Sequence, residues 1–271
     1  MARHLFGAEQ RRQRQLNGDM SLDALADVVN YSKTQLHGVE TAERIPFPPL
    51  PGKLDAAFGT DGLFDGLWRV IEREQYPDRY RRFMELAAQA TDICEYAGHM
   101  VPGLLQTEAY ARALLRIGAP EASADDVDEW VATRMSRQDR LSSDVAPYLW
   151  TILDEAVLRR PVGGRAVMYE QFAKLQPLVD TARSKIQVLP FTHGEHALLG
   201  GSLTLLTLPN RSSVAYLEGI GEGQLIETPA AVRRRHRSYD LLRAYALSPR
   251  ESAALIERAM EDFNPCEALP T

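Results

Sequence analysis

Apolar residues recur at helical spacing through most of the first half of the chain. They give way to short continuous apolar runs in the second half. Over 22–41, Leu25, Val29, Tyr31, Leu36 and Val39 fall where two short helices would bury their inner faces, and Ala26 sits where those helices would cross. Leu63, Phe64, Leu67, Trp68 and Ile71 predict a helix over 62–74, and 53–58 reads as another. Leu104, Leu105, Tyr110, Ala111, Leu114 and Leu115 continue the helical pattern after Pro102-Gly103, as do Val127, Trp130, Val131 and Met135, and no strand signal stands out over 76–142. Beyond Pro147 the period changes. The runs 148–153, 186–191, 203–208 and 214–218 read as strands, the last two joined through Pro209-Asn210-Arg211-Ser212 as a hairpin. Helices are expected over 169–183, 228–246 and 248–262. The last of these opens on Ser248-Pro249 with Glu251 three residues on, an N-terminal capping signature.

The fold class expected is therefore mainly α with an α+β C-terminal domain, a small sheet flanked by helices. The strongest composition break is Ile45-Pro46-Phe47-Pro48-Pro49-Leu50-Pro51-Gly52, where proline excludes a continuing helix. The organisation expected is a DNA-binding unit over 1–66, a helical linker or dimerisation region over 67–145, and a regulatory α+β unit over 146–265.

Composition narrows the class. At 271 residues, 45% apolar and 25% charged, the chain resembles an ordinary globular protein. Two distant cysteines, Cys94 and Cys266, make neither a disulfide framework nor a zinc site. The polar, arginine-bearing N-terminus lacks a signal-peptide core, and no stretch is long and apolar enough to span a bilayer, so a cytoplasmic location is expected. The net charge of −6 excludes a non-specific nucleic-acid coat. Positive charge is local: Arg3, Arg11, Arg12 and Arg14 near the N-terminus, and Arg233, Arg234, Arg235 and Arg237 later on.

The segment 22–41 fits a helix-turn-helix template. Asn30 stands at the turn, where a left-handed conformation is needed, and Ser21 and Ser32 are placed to cap the two helices. The outer face of the second helix would carry Ser32, Lys33, Thr34, Gln35, His37 and Gly38 towards a major groove. Gln35 suits adenine, and Lys33 suits guanine or phosphate. Arg11, Arg12 and Arg14 would meet the DNA backbone, and Arg44 is counted with the DNA-binding residues.

These residues carry a family resemblance. Ser21-Leu22-Asp23-Ala24-Leu25-Ala26, Asn30-Tyr31-Ser32-Lys33-Thr34-Gln35-Leu36 and Val39-Glu40 resemble the helix-turn-helix of Xre/Cro-type regulators. Phe58-Gly59-Thr60-Asp61-Gly62-Leu63, the run from Val101-Pro102-Gly103-Leu104-Leu105 to Tyr110-Ala111-Arg112, Leu189-Pro190-Phe191, and Ala246-Leu247-Ser248 with Glu251-Ser252 are similar to the WhiJ-like actinobacterial group, over nearly the whole chain. That resemblance implies a transcription factor of development or secondary metabolism, with an uncharacterised C-terminal domain and often a small acidic partner protein encoded nearby. The chain departs from the group at His37-Gly38, where a Ser-Arg pair is common. Over 1–50 six arginines and lysines balance six acids, so dimerisation or a partner would have to support DNA affinity.

Enzymatic signals are weaker. Thr192-His193-Gly194-Glu195-His196 lacks the spacing of a helical zinc motif and reads as a surface loop. Gly200-Gly201-Ser202 and Gly219-Ile220-Gly221-Glu222-Gly223 fit no phosphate-binding loop, and no serine elbow is present. Asp154-Glu155 reads as two exposed acids at a strand end. The expectation is a DNA-binding homodimer with no catalytic role, cofactor, metal or membrane, whose C-terminal domain senses a protein partner or small ligand. The alternative is an antitoxin-like module that sequesters a small partner and binds DNA weakly.

Overall fold

The computed structural model describes residues 2–75, 78–220 and 223–265. Tyr76, the Gly221-Glu222 pair and Cys266 lie outside them. The chain divides into two compact units at Arg81/Arg82.

The helical periodicity of the first unit resolves into α1 (Ala2–Leu16), α2 (Leu22–Val29), α3 (Lys33–Glu40), α4 (Leu50–Phe58) and α5 (Leu63–Gln75), with α6 (Asp78–Ala87) crossing the division. Phe6, Leu25, Val29, Leu36, Val39, Leu54, Phe64 and Ile71 meet in one core. The proline-rich run is an irregular connection that leads into α4, with Phe47 packed against the Trp68 ring at 5.3 Å between centroids. The boundary expected at residue 66 falls inside α5. Phe64 on one side of it and Ile71 on the other fill the same core, so the helix cannot be split there.

The second unit holds β1 (Asp92–Ala97), α7 (Glu108–Gly118), α8 (Ala124–Ser136), β2 (Tyr148–Asp154), α9 (Glu155–Arg159), α10 (Arg165–Leu175), β3 (Ser184–Leu189), β4 (Ser202–Thr207), β5 (Ser213–Glu218), β6 (Gly223–Ile226), α11 (Pro229–Tyr245) and α12 (Pro249–Asp262). The strands form one mixed sheet in the order β3-β2-β1-β4-β5-β6. β1, β2 and β3 run parallel, and β4, β5 and β6 add antiparallel neighbours. The helical N-terminal region and the α+β C-terminal part agree with the fold class expected from the sequence.

β1 corrects the expectation of a helical region over 67–145 with no strand within 76–142. It is a central strand, yet Asp92, Cys94 and Glu95 interrupt its apolar residues, so neither clean alternation nor a continuous apolar run marks it. The helix expected over 169–183 instead starts at Arg165 and stops where Pro177 enters a single 3-10 turn. β6 is a four-residue strand beside the hairpin and carries too little pattern to be seen in advance.

Helices cover the sheet on both sides. Ile93, Ala97, Leu149, Leu153, Ile186, Val188, Leu206 and Val214 face a core completed by Tyr110 of α7, Phe172 of α10 and Ile256 of α12. Tyr96, Ile152, Leu203, Leu205 and Ala215 face the opposite way, against Tyr239 and Leu242 of α11. Among the described residues no helix is long and apolar enough to cross a membrane.

Candidate nucleic-acid interface

The pair α2 and α3 is built as its capping residues require. The Ser21 hydroxyl accepts the Ala24 N–H at 3.1 Å and starts α2. Asn30 ends it at φ 56°, ψ 57°, a left-handed conformation that asparagine adopts with little strain. Ser32 then starts α3: its Oγ accepts the Gln35 N–H at 3.2 Å while Gln35 Oε1 accepts the Ser32 N–H at 3.1 Å. Leu25, Val29, Leu36 and Val39 are buried as the template requires, and Tyr31 is half-buried with Lys53 Nζ 5.0 Å from its ring centre.

The proposed contact residues divide into two groups. Ser32, Lys33, Thr34 and His37 are exposed along one side of α3. Lys33 Nζ pairs with Asp23 Oδ2 at 2.8 Å, both side chains being in water. Such an exposed pair contributes at most about 1 kcal/mol, so the lysine remains available. Gln35 is already committed: its side chain closes the capping box and also accepts the Ser32 hydroxyl at 3.0 Å. Arg12 pairs with Glu9 at 2.9 Å on the exposed side of α1. Arg11 and Arg14 turn instead towards Glu40. Arg44 is half-buried, and its stem fills the space that Gly38 leaves open, where a Cβ would lie 2.8 Å from Arg44 Cγ and Cδ. The glycine costs helix propensity, and the arginine stem crosses the helix in return.

Sequence reasoning missed the joint that holds this pair in place. Gly7 lets α1 lie directly on the end of α3, since a Cβ there would come within 2.5 Å of the Glu40 carbonyl oxygen and 2.6 Å of that of Val39. Next to it the Glu40 side chain, 2% exposed, accepts Arg11 Nε at 2.7 Å and Arg14 Nη2 at 2.7 Å. Gln10 is fully buried and donates to the Leu36 carbonyl at 3.1 Å. Burial alone would raise the Glu40 pKa, but the hydrogen bonds and charges of Arg14 and Arg11 outweigh it and hold the carboxyl below its ordinary value. The available signal was the helical stripe Gly7, Gln10, Arg11 and Arg14, one face of α1 at 3.6-residue spacing.

The second unit gathers its own polar cluster at the C-terminal end of β1 and β2. Asp154 Oδ1 accepts the Ala156 N–H at 2.9 Å and caps α9, while Oδ2 accepts the Tyr96 hydroxyl at 3.1 Å. His196 Nδ1 accepts the Leu198 N–H at 3.2 Å, which places the neutral ring's proton on Nε2, 3.1 Å from the Tyr96 oxygen. The His196 side chain is 3% exposed, so the 192–196 segment is not simply a surface loop. Burial holds this imidazole below the usual histidine range. The Asp154 charge opposes the shift and that of His193 reinforces it. His193 stacks on Tyr245 at 4.4 Å between centroids.

A family model described as a domain of unknown function (DUF5753) matches residues 80–258. The chain belongs to that family. No curated protein and no solved structure matches it. The DUF5753 match takes in every strand of the sheet and leaves α1 to α5 outside it.

Within the DUF5753 part, Asp154 and Glu155 are not the exposed acids that the sequence suggested. Both are half-buried, and Glu155 Oε2 accepts the Phe191 N–H at 3.0 Å, fastening the loop after β3. Arg233, Arg234 and Arg237 lie on the exposed side of α11, whose buried side carries Val232, Tyr239 and Leu242. Among the described residues no group of three or more His, Cys, Asp or Glu side chains is arranged to hold a metal ion.

Proposed function

We propose that the chain is a sequence-specific regulator of transcription that binds double-stranded DNA as a homodimer through an Xre-type helix-turn-helix, and that its DUF5753 unit senses a small ligand or a protein partner. The observation that carries this reading is the capped pair α2 and α3. It is joined through left-handed Asn30 and leaves Ser32, Lys33, Thr34 and His37 in water on one side of α3. An α-helix with its side chains is about 10–12 Å across, and a major groove about 12 Å wide admits it.

Lys33 reaches guanine or phosphate once it leaves Asp23. Thr34 and His37, one turn apart, are placed for neighbouring base edges. Gln35 holds the end of the helix, so reading adenine with its amide would cost the cap. Arg12, exposed beside Glu9, is placed for the phosphate backbone, and Arg11 supports the fold through Glu40 instead. With so few phosphate contacts, two copies on half-sites about 34 Å apart would supply the affinity that one lacks.

Selection from random duplexes by the full-length protein tests this, with Lys33→Ala, Thr34→Ala and His37→Ala alongside. Enrichment of a two-fold symmetric site, relaxed at particular positions in the variants, is expected. Enrichment of no site, with a stable complex formed instead with a small acidic protein encoded nearby, would replace this reading with the antitoxin-like one.

A further inference from the structure

The face of the sheet that packs under α7, α10 and α12 carries the larger apolar core, and a polar row crosses its middle. Register places Glu95 of β1 directly between Thr151 of β2 and Thr204 of β4, and Thr204 opposite Tyr216 of β5. Side chains at paired positions point to the same face, so hydroxyl, carboxylate and hydroxyl stand side by side, Thr151 fully buried and Glu95 and Thr204 half-buried. Thr151 is fully buried and its Oγ1 has no hydrogen-bond partner, and Glu95 Oε2 beside it is likewise buried without one. Neighbouring unmet acceptors in the centre of a sheet are rare, because each unpaired buried polar group costs about 1–3 kcal/mol.

Charge sharpens the point. Thr204 hydrogen-bonds the Glu95 carboxyl, and Glu218, on the same face at the exposed end of β5, adds a second negative charge. The nearby cation is Arg134 of α8, which donates to Gln106 Oε1 at 2.9 Å and acts on Glu218. No positive charge among the described residues counters Glu95. Burial first, and Glu218 after it, push its pKa up to about 7.

We propose that Glu95 and Thr151 form a binding site for a small molecule carrying a primary ammonium group, the group sitting against Glu95 Oε2 and Thr151 Oγ1. An ammonium has three donors and no acceptor. It fills both unmet positions and supplies the missing countercharge, which a neutral alcohol or a carboxylate does not. The proposal gives a ligand chemistry to the sensing role suggested for the DUF5753 unit. It is tested on that unit's own residues without DNA, so either reading can fail alone.

The probe is n-butylammonium chloride added to the full-length protein, with n-butanol and potassium chloride as controls. The readout is the titration of the Glu95 carboxyl carbon by NMR, together with saturable shifts of the Thr151 methyl group. Because the cation favours the ionised carboxyl, saturating probe should lower the Glu95 pKa by at least about one unit, equivalent to tenfold tighter binding to the carboxylate form. Glu95→Gln and Thr151→Val, both close in shape to the natural residues, should each weaken the probe about tenfold or more while leaving the fold intact. An unmoved Glu95 pKa overturns the proposal. So does a response equal to that of potassium chloride, or a crystal structure grown with the probe that shows only water at both oxygens.

Discussion

Replacing the buried Glu40 should loosen α1 from α3. Its carboxylate takes four arginine contacts, from Arg11 Nε at 2.7 Å and from Arg14 Nε and Nη2 at 2.7–3.1 Å. Removing one partner of a fully buried pair costs about 3–5 kcal/mol. Arg14 is 15% exposed and Arg11 57% exposed, so part of that cost is relieved by water. Glu40→Gln keeps one acceptor oxygen and should cost about 2 kcal/mol, and Glu40→Ala about 3 kcal/mol. The sign with pH follows from the lowered pKa. The carboxylate's contribution is complete above its ordinary value of 4.5 and is lost as pH falls through the lower folded value. Hydrogen exchange read by mass spectrometry on peptides from α1 and α3, under increasing urea, measures both effects. A loss below about 0.5 kcal/mol, or an acid limb identical in wild type and Glu40→Gln, would refute the reasoning.

Three further substitutions test other parts. Gly7→Ala drives a Cβ into two backbone carbonyls and should cost about 1–3 kcal/mol in the urea unfolding of the first unit. Asn30→Val should cost about 1–2 kcal/mol at its left-handed position while Asn30→Gly is close to neutral, as thermal melts would show. For His196 the folded pKa lies below the ordinary 6.5, so neutral histidine stabilises the fold above that value and the benefit is lost as pH falls through the folded pKa. Amide exchange at Leu198, corrected for intrinsic rate, should therefore accelerate on moving from about pH 7.5 to about pH 5.5, and His196→Gln should flatten that change.

Much of this architecture could be read from residue pattern because local chemistry and tertiary context agree there. Ser21, Asn30 and Ser32 perform the cap, turn and cap that their side chains favour. Ser248 and Glu251 form the capping box that their spacing announced. The readable strands are those with continuous apolar runs. β1 escaped because Glu95 stands where an apolar residue would have completed the pattern, and the same glutamate marks the polar row of the sheet. The site was less legible than the fold. Lys33, Thr34 and His37 lie in water as the template suggests. The Ser32-to-Gln35 spacing is itself a local capping signature, but nothing local to Arg11 tells that it meets Glu40, 29 residues on. Side chains that serve long-range contacts carry the same letter as side chains that serve ligands.

That distinction bears on how the proposed regulator would hold DNA. Each phosphate neutralised contributes about 0.9 to the salt slope of duplex binding, so a helix unit is only as salt-sensitive as the cations it can spare. Glu40 withdraws Arg11 and Arg14 from that pool, and Glu9 competes for Arg12. Under the proposed function, a unit built this way would bind any duplex weakly and discriminate chiefly through the short exposed side of α3. Its affinity would then come from pairing two copies, and whatever shifts the proposed dimer equilibrium would control occupancy. A sensing domain on the same chain would not have to alter α3 at all. Changing the fraction of paired chains would be enough, and the Glu40 joint would keep each copy's α3 in the same orientation while that fraction changed.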